Sequence, residues 1–271
     1  MLFYVLVLAV LVLAAVQFFM VRAFRSRTLA LGAALRGDPG PVDVSDGLPP
    51  LVRAFALKSG ADPAHLLRII SFTQEVELRR VQGARFDRYM AWQVAATGKP
   101  GFLWQARQDA GPFTKLRVVD AFVDGDGHLE ARLMASIPVA RADGPDLALA
   151  EAYRYLAELP WVPDAILGNL DLRWQMAGDR TASVSLQTKG GAAHVAFLFD
   201  ADGDIVAMRA KGRPATDAAG KPARYDWQGT FGGYAVLGPR RVPVTGEVGY
   251  IYPTGYEAYF RARLTEYHAA D

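Results

Sequence analysis

The stretch DLALAEAYRYLAELPWVPDAILGNLDLRW, Asp146 to Trp174, decides how the chain folds, because it joins two long runs of strand-like sequence and holds the densest set of large side chains outside the N-terminus. Asp146 is placed to accept the first free backbone N–H groups of a helix, and Leu149, Ala152, Tyr153 and Leu156 then recur at the spacing of a single apolar face. The pattern predicts a central amphipathic helix over 147–159. On its other side Glu151, Arg154 and Glu158 stand three and four residues apart, which reads as weak pairing on a solvated surface without catalytic weight. Pro160 ends the helix, and in Trp161-Val162-Pro163 the second proline opens a short helix that Gly168 closes. Leu170, Leu172, Trp174 and Met176 then alternate with Asp171, Arg173 and Gln175, the period of a half-buried strand. Trp161 is the expected anchor of a helix clamped against a sheet.

Outward from this stretch the pattern is β on both sides. Upstream, Val76 and Leu78 alternate with Glu75, Glu77 and Arg79, and Phe102, Trp104 and Ala106 alternate with Gln105 and Arg107. Asp124-Gly125-Asp126-Gly127 and Asp200-Ala201-Asp202-Gly203 each sit between two strand-like runs and predict hairpin turns. Further strands are expected at 182–187, 225–234, 242–252 and 258–267. The fold class that follows is α+β and mostly β, a large antiparallel curled sheet or half-open barrel capped by helices.

At the N-terminus Leu2–Val21 is broken only by Gln17, and crossing a bilayer core takes about 20 apolar residues, so a transmembrane helix is expected. No Lys or Arg precedes the run and no small-x-small site follows it, which argues against a cleaved signal peptide. Arg22, Arg25 and Arg27 follow the span, and positive charge beside a span stays cytoplasmic by rule, which predicts a single-pass protein with its domain in the cytoplasm. Gly37-Asp38-Pro39-Gly40-Pro41 breaks any extension of that helix. The expected organisation is a membrane helix with its extension over 1–36, a linker over 37–47 and one β-rich domain over 48–271.

Composition excludes several function classes. A net charge of +2, from 30 basic and 28 acidic residues without a basic block, gives no footprint for nucleic acid. Zero cysteines remove disulfides, thiolate zinc sites and cysteine nucleophiles. The acidic turns lack the glycine and glutamate of a calcium loop, and the four histidines form no ligand pair, so no metal or cofactor is implied. No G-x-S-x-G, phosphate loop or strand-linked G-x-G-x-x-G is present. Glu151, Glu158, Asp164 and Glu247 are the carboxylates from which an acid–base pair would have to come, and a solvated or structural role is the expected one for each.

Leu48-Pro49-Pro50-Leu51-Val52-Arg53, Lys99-Pro100-Gly101-Phe102-Leu103-Trp104-Gln105-Ala106-Arg107 and Tyr155-Leu156-Ala157-Glu158-Leu159-Pro160-Trp161-Val162-Pro163 resemble the signatures of an uncharacterised bacterial family, a domain of unknown function commonly found behind an N-terminal membrane segment. The resemblance implies a bacterial inner-membrane protein and supplies no catalytic residues. More distantly, a Pro-Gly-Phe-x-Trp strand followed by a meander is similar to lipoprotein-carrier and lipoprotein-receptor domains, which implies an open barrel capped by helices and holding an acyl chain.

The aromatic side chains admit two readings, the packed core between sheet and helices or the lining of a cavity. On the second, Trp104, Tyr153, Leu156, Trp161 and Trp174 are the candidate ligand-binding residues, and the expected function is non-enzymatic binding of a membrane lipid or other hydrophobic ligand. The alternatives are a scaffold with a protein partner in the cell envelope, or an enzyme whose acid–base site the sequence does not reveal.

Overall fold

In a computed structural model the chain is described throughout except at residues 41, 42, 46, 111, 112, 218 and 271, on which part of the expected 37–47 linker falls. The elements in order are α1 (Leu2–Gly37), α2 (Pro50–Lys58), β1 (Ile69–Leu78), β2 (Asp87–Ala96), β3 (Phe102–Ala110), β4 (Phe113–Val123), β5 (Asp126–Leu133) and β6 (Ile137–Ala142). They continue with α3 (Pro145–Ala157), a 3-10 turn at Leu159–Trp161, α4 (Pro163–Gly168), β7 (Arg173–Gly178), β8 (Thr181–Thr188), β9 (Gly191–Phe199) and β10 (Ile205–Thr216). The chain then closes with β11 (Pro222–Leu237), β12 (Arg240–Tyr252) and β13 (Gly255–Ala270).

All thirteen strands form one antiparallel sheet in the order β6-β5-β4-β3-β2-β1-β13-β12-β11-β10-β9-β8-β7. Every neighbouring pair is consecutive in sequence except β1 and β13, which pair along the whole of β1, from Ile69 opposite Ala270 to Leu78 opposite Phe260. Two meanders are thus sewn together at the middle of the sheet. The edge strands β6 and β7 are joined by α3 and α4, and α3 touches β4 and β5 on one arm and β8, β9 and β10 on the other. A helix can reach both arms only if the sheet curls round it, so the architecture is a half-barrel with its helices on the concave face. Two glycines set how tightly the arms clasp α3. A Cβ on Gly127 would lie 2.8 Å from the Ala148 nitrogen, and one on Gly190 would lie 2.1 Å from the Pro145 oxygen, so only glycine permits either approach.

α3 begins two residues earlier than expected, and Asp146 makes no capping bond; it sits in the first turn and pairs with Arg224 at 3.4 Å. The larger difference is burial. Glu151, Arg154 and Glu158, expected on a solvated face, are enclosed, because the curled sheet covers α3 on nearly every side. The strand expected from Leu170 begins only at Arg173, after a turn at Leu170–Asp171, and as an edge strand β7 is more exposed than its alternation implied: Met176 faces solvent and Trp174 is half-buried.

The outer face of the sheet carries a second core. The C-terminal half of α1 lies across β2, β3 and β4, where Phe24 and Leu35 pack with Val94, Leu103, Val119 and Ala121. The first part of α1, by contrast, stands away from the domain with its apolar side chains exposed, and its hydropathy and length are those of a helix able to cross a membrane. α2 covers the inner face next to α4, with Phe55 edge-on to Phe199 and Tyr234 at ring distances of 6.0 and 6.2 Å.

Candidate functional site

Beneath α3 and the 3-10 turn the inner face does not close completely. A hollow of about 230 Å³ is lined by Trp104, Trp161, Trp227, Phe231, Tyr259 and Phe260 together with the polar groups of Asp120, Arg154, Glu158 and Arg213. A wider cleft of about 1020 Å³ opens beside the N-terminal half of α3, walled by Arg79–Gln82, Asp146, Glu151, Arg224 and Tyr252. Leu129, Arg213, Tyr250 and Tyr259 line both spaces, so the hollow and the cleft adjoin at these side chains. A third depression, of about 900 Å³, lies on the outer face of the central strands. It is lined by partly exposed ion pairs, among them Arg261–Glu247 at 2.7 Å and Arg88–Glu77 at 3.8 Å, which at such exposure contribute little to stability.

Two guanidinium groups organise the inner site. Arg154 reaches from α3 to Asp120 on β4 at 2.5 Å and to Glu158, one turn along, at 2.8 Å, while Gln93 accepts a third bond from it at 3.2 Å. Its plane lies over the rings of Phe102 and Trp104 at 4.8 and 4.9 Å, and Trp104 in turn donates to Gln74 at 3.0 Å. These bonds satisfy a charge that burial would otherwise make very costly. Arg213 is held differently. It donates to the Tyr250 hydroxyl and to the Ala150 carbonyl, stacks over Trp227 at 4.6 Å, and has no carboxylate partner among the described residues. It points inward because of a bulge: Met208 and Ala210 face the core, strict alternation would continue to position 212, and the register shift between Ala210 and Arg213, with Gly212 at φ 59°, turns Arg213 in instead.

Glu151 stands between these two cations, 4% exposed, with one carboxylate oxygen that meets no protein donor. Burial, and then the nearby Asp120 charge, push its pKa up to about 8. A carboxyl whose folded pKa lies above its unfolded value binds more protons when folded. Its contribution is therefore fully present below the unfolded pKa and is lost as pH rises through the folded one. Stability is expected to fall from the ordinary glutamate range up to about pH 8, and Glu151→Gln should flatten that fall in urea titrations run at several pH values. An unchanged pH profile in the variant would show that Glu151 is ionised throughout.

Of the residues singled out from the sequence, Trp104 and Trp161 line the hollow. Tyr153 and Leu156 are buried against the arm around β9 and β10, where the Tyr153 hydroxyl donates to the Lys211 carbonyl at 3.2 Å, and Trp174 stacks on Phe197 at 5.9 Å near the edge of the sheet. These three are not part of the lining. Asp164 serves structure: it is fully buried and takes two bonds from Arg240, at 2.7 and 2.8 Å, and one from the Leu67 amide at 3.0 Å. The sequence did not single out Asp120 or Arg213, and it placed Glu151, Arg154 and Glu158 on a solvated surface instead of inside. One signal for the last was present, since apolar residues surround the helix on all sides, and a helix of that kind is buried.

The geometry falls within a recognisable stretch of sequence, because residues 41–262, which include every residue lining the hollow, match a family of unknown function, DUF6544. The chain belongs to that family. No curated protein matches this DUF6544 chain. Among solved structures it is similar to a putative outer membrane lipoprotein-sorting protein domain from Vibrio parahaemolyticus, at 11% identity and a TM-score of 0.47, covering 81% of this chain and 90% of that one. A LolA superfamily protein from Nitrosomonas europaea is similar at 9% identity and a TM-score of 0.44, with 81% and 94% covered. A DUF1329 family protein from Desulfovibrio piger is similar at 9% identity and 0.40, with 80% and 91% covered.

Proposed function

We propose that this DUF6544 chain is a membrane-anchored binder of an amphipathic, lipid-like ligand, whose apolar part enters the hollow under α3 while its head stays in the cleft. The observation that carries the reading is an aromatic hollow adjoining an open cleft at Leu129, Arg213, Tyr250 and Tyr259, side chains whose movement would join the two. Small-molecule sites usually occupy about 300–1,000 Å³; the cleft reaches that size and the hollow adds an apolar end. Burial of a chain there supplies about 25 cal/mol per Å² of apolar surface. Arg213 at the junction, bound to a hydroxyl and a carbonyl, suits an anionic head such as a carboxylate or phosphate. The apolar start of α1 would keep the domain at the bilayer that supplies the ligand, and Arg22, Arg25 and Arg27 favour the cytoplasmic side of a bacterial inner membrane.

The test is native mass spectrometry of the detergent-solubilised full chain for co-purifying lipid, with titration of a fluorescent fatty acid. Saturable binding is expected. It should weaken about tenfold or more, a change of about 1.4 kcal/mol, in Ala157→Phe, which fills the hollow from α3, and in Arg213→Met. Absence of saturable binding, or equal binding by a folded Ala157→Phe variant, overturns the reading. A second reading is favoured by one observation: Glu151, protonated near neutrality, faces the cleft as a general acid would. Lipid recovered chemically altered by the wild type but intact from Glu151→Gln would establish catalysis in place of simple binding.

A further inference from the structure

The turn between β5 and β6 has a composition unlike the other hairpins of the sheet. From Leu133 to Ala140 the sequence is LMASIPVA, eight residues without a charge, bounded by Arg132 and Arg141. Met134, Ile137 and Val139 are 57%, 51% and 54% exposed. Met134 and Ala135 both take left-handed backbone conformations, φ 50° and 58°, positions that ordinarily select glycine or asparagine. The chain therefore tolerates backbone strain to keep apolar side chains at the tip.

This tip is fixed to α1. The Gln17 amide donates to the Met134 carbonyl at 3.3 Å, the Arg132 guanidinium lies over the Phe24 ring at 5.1 Å, and Arg27 pairs with Glu130 at 3.3 Å. Gln17 is the only polar residue between Leu2 and Val21, four residues before the apolar run ends. At ~1.5 Å per helical residue, the tip therefore reaches about 6 Å past the end of the run, into the level at which acyl chains begin. Backbone leaves water at low cost only where its polar groups are bonded, and at this tip those of Met134 and Ser136 are. Met134 N–H donates to the Lys115 carbonyl at 3.0 Å and its own carbonyl takes Gln17; Ser136 N–H donates to Leu133 at 3.1 Å and its carbonyl takes Arg132 at 2.7 Å. Pro138 adds a residue with no N–H to satisfy on this edge strand.

We propose that the β5–β6 tip is a second membrane contact, seated in the same leaflet boundary from which α1 emerges, and that it fixes the orientation of the half-barrel on the bilayer. Gln17 then finds a use within the span, as the bond that ties span and tip together.

Because the chain has no cysteine, single sites are addressable in the full-length protein. Ile137→Cys and Val139→Cys, each labelled with an environment-sensitive fluorophore, are reconstituted into phosphatidylcholine–phosphatidylglycerol vesicles with and without brominated acyl chains. Val236→Cys, 73% exposed on β11 in the other arm, is the reference. The expected result is blue-shifted emission at 137 and 139 that brominated lipid quenches, with neither effect at 236. Unshifted and unquenched emission at 137 and 139 overturns the proposal. So does a blue shift that bromine does not quench, which would mean that the tip is covered by protein instead of lipid, and so does equal quenching at all three sites.

Discussion

Trp161→Ala is expected to lower the unfolding free energy of the domain by about 3–5 kcal/mol, the range for removing a large buried aromatic. The ring is 3% exposed and lies between Phe72 at 5.8 Å and Phe231 at 5.9 Å. Its indole N–H donates to the Pro243 carbonyl at 2.8 Å, and its own carbonyl accepts from the Tyr267 hydroxyl at 2.9 Å. The ring fits because Gly246 has no side chain: a Cβ there would lie 2.9 Å from the indole edge. Since Trp161 also walls the hollow, its loss would join the vacated space to one already empty, and the surroundings would have little to collapse onto. Equilibrium unfolding in urea by tryptophan-independent circular dichroism measures the change. A loss below about 1 kcal/mol would mean that the turn carrying Trp161 is not the clamp it is taken to be.

Arg154→Leu is expected to cost a similar amount, about 3–5 kcal/mol, for a different reason. Both Asp120 and Glu158 lose their cation while staying enclosed, with side chains 12% and 11% exposed. A carboxylate left so is easier to bury protonated: burial already holds Asp120 above the usual carboxylate range, and without the Arg154 charge it rises further, so the deficit should shrink as pH falls toward that range. Replacing Asp120 and Glu158 with Leu and Met in the same chain should recover much of the loss, because an apolar triad needs no compensation. A deficit that does not change with pH would indicate that solvent reaches the two carboxylates once Arg154 is gone.

What could be read from the sequence follows from which surfaces alternate. The hairpins at Asp124-Gly125 and around Asp200–Gly203 were legible because turn residues separate strands with one wet face, and β3, β12 and the pairing of helix with sheet followed from the same period. β2 carried no such signal. From Ala91 to Ala96 its inner face meets the core and its outer face meets α1, so both sets of side chains are covered and the polar alternation disappears. Arg213 was hidden by the bulge, since a strict period of two places it on the outer face. Trp104 was legible as a large aromatic in phase with Phe102 and Ala106 on a strand, and Trp161 as the anchor of the proline turn after the helix, whereas Asp120, Arg154 and Glu158 looked like ordinary surface charges. Only the curl of the sheet brings β4 over α3, and curl is a property of the two arms together.

The strand order has a consequence for how the protein is made. β13 is the last strand of the sheet to leave the ribosome, yet it occupies the seventh of thirteen places, at the centre. Until it emerges, β1 and β12 each present an unpaired edge, and α3 has two arms that nothing holds at the right distance. The hydrophobic start of α1 is by then long since synthesised and free to engage a membrane. The domain thus completes its fold only after translation of the sheet is finished, and until then its two open strand edges are free to pair with other chains.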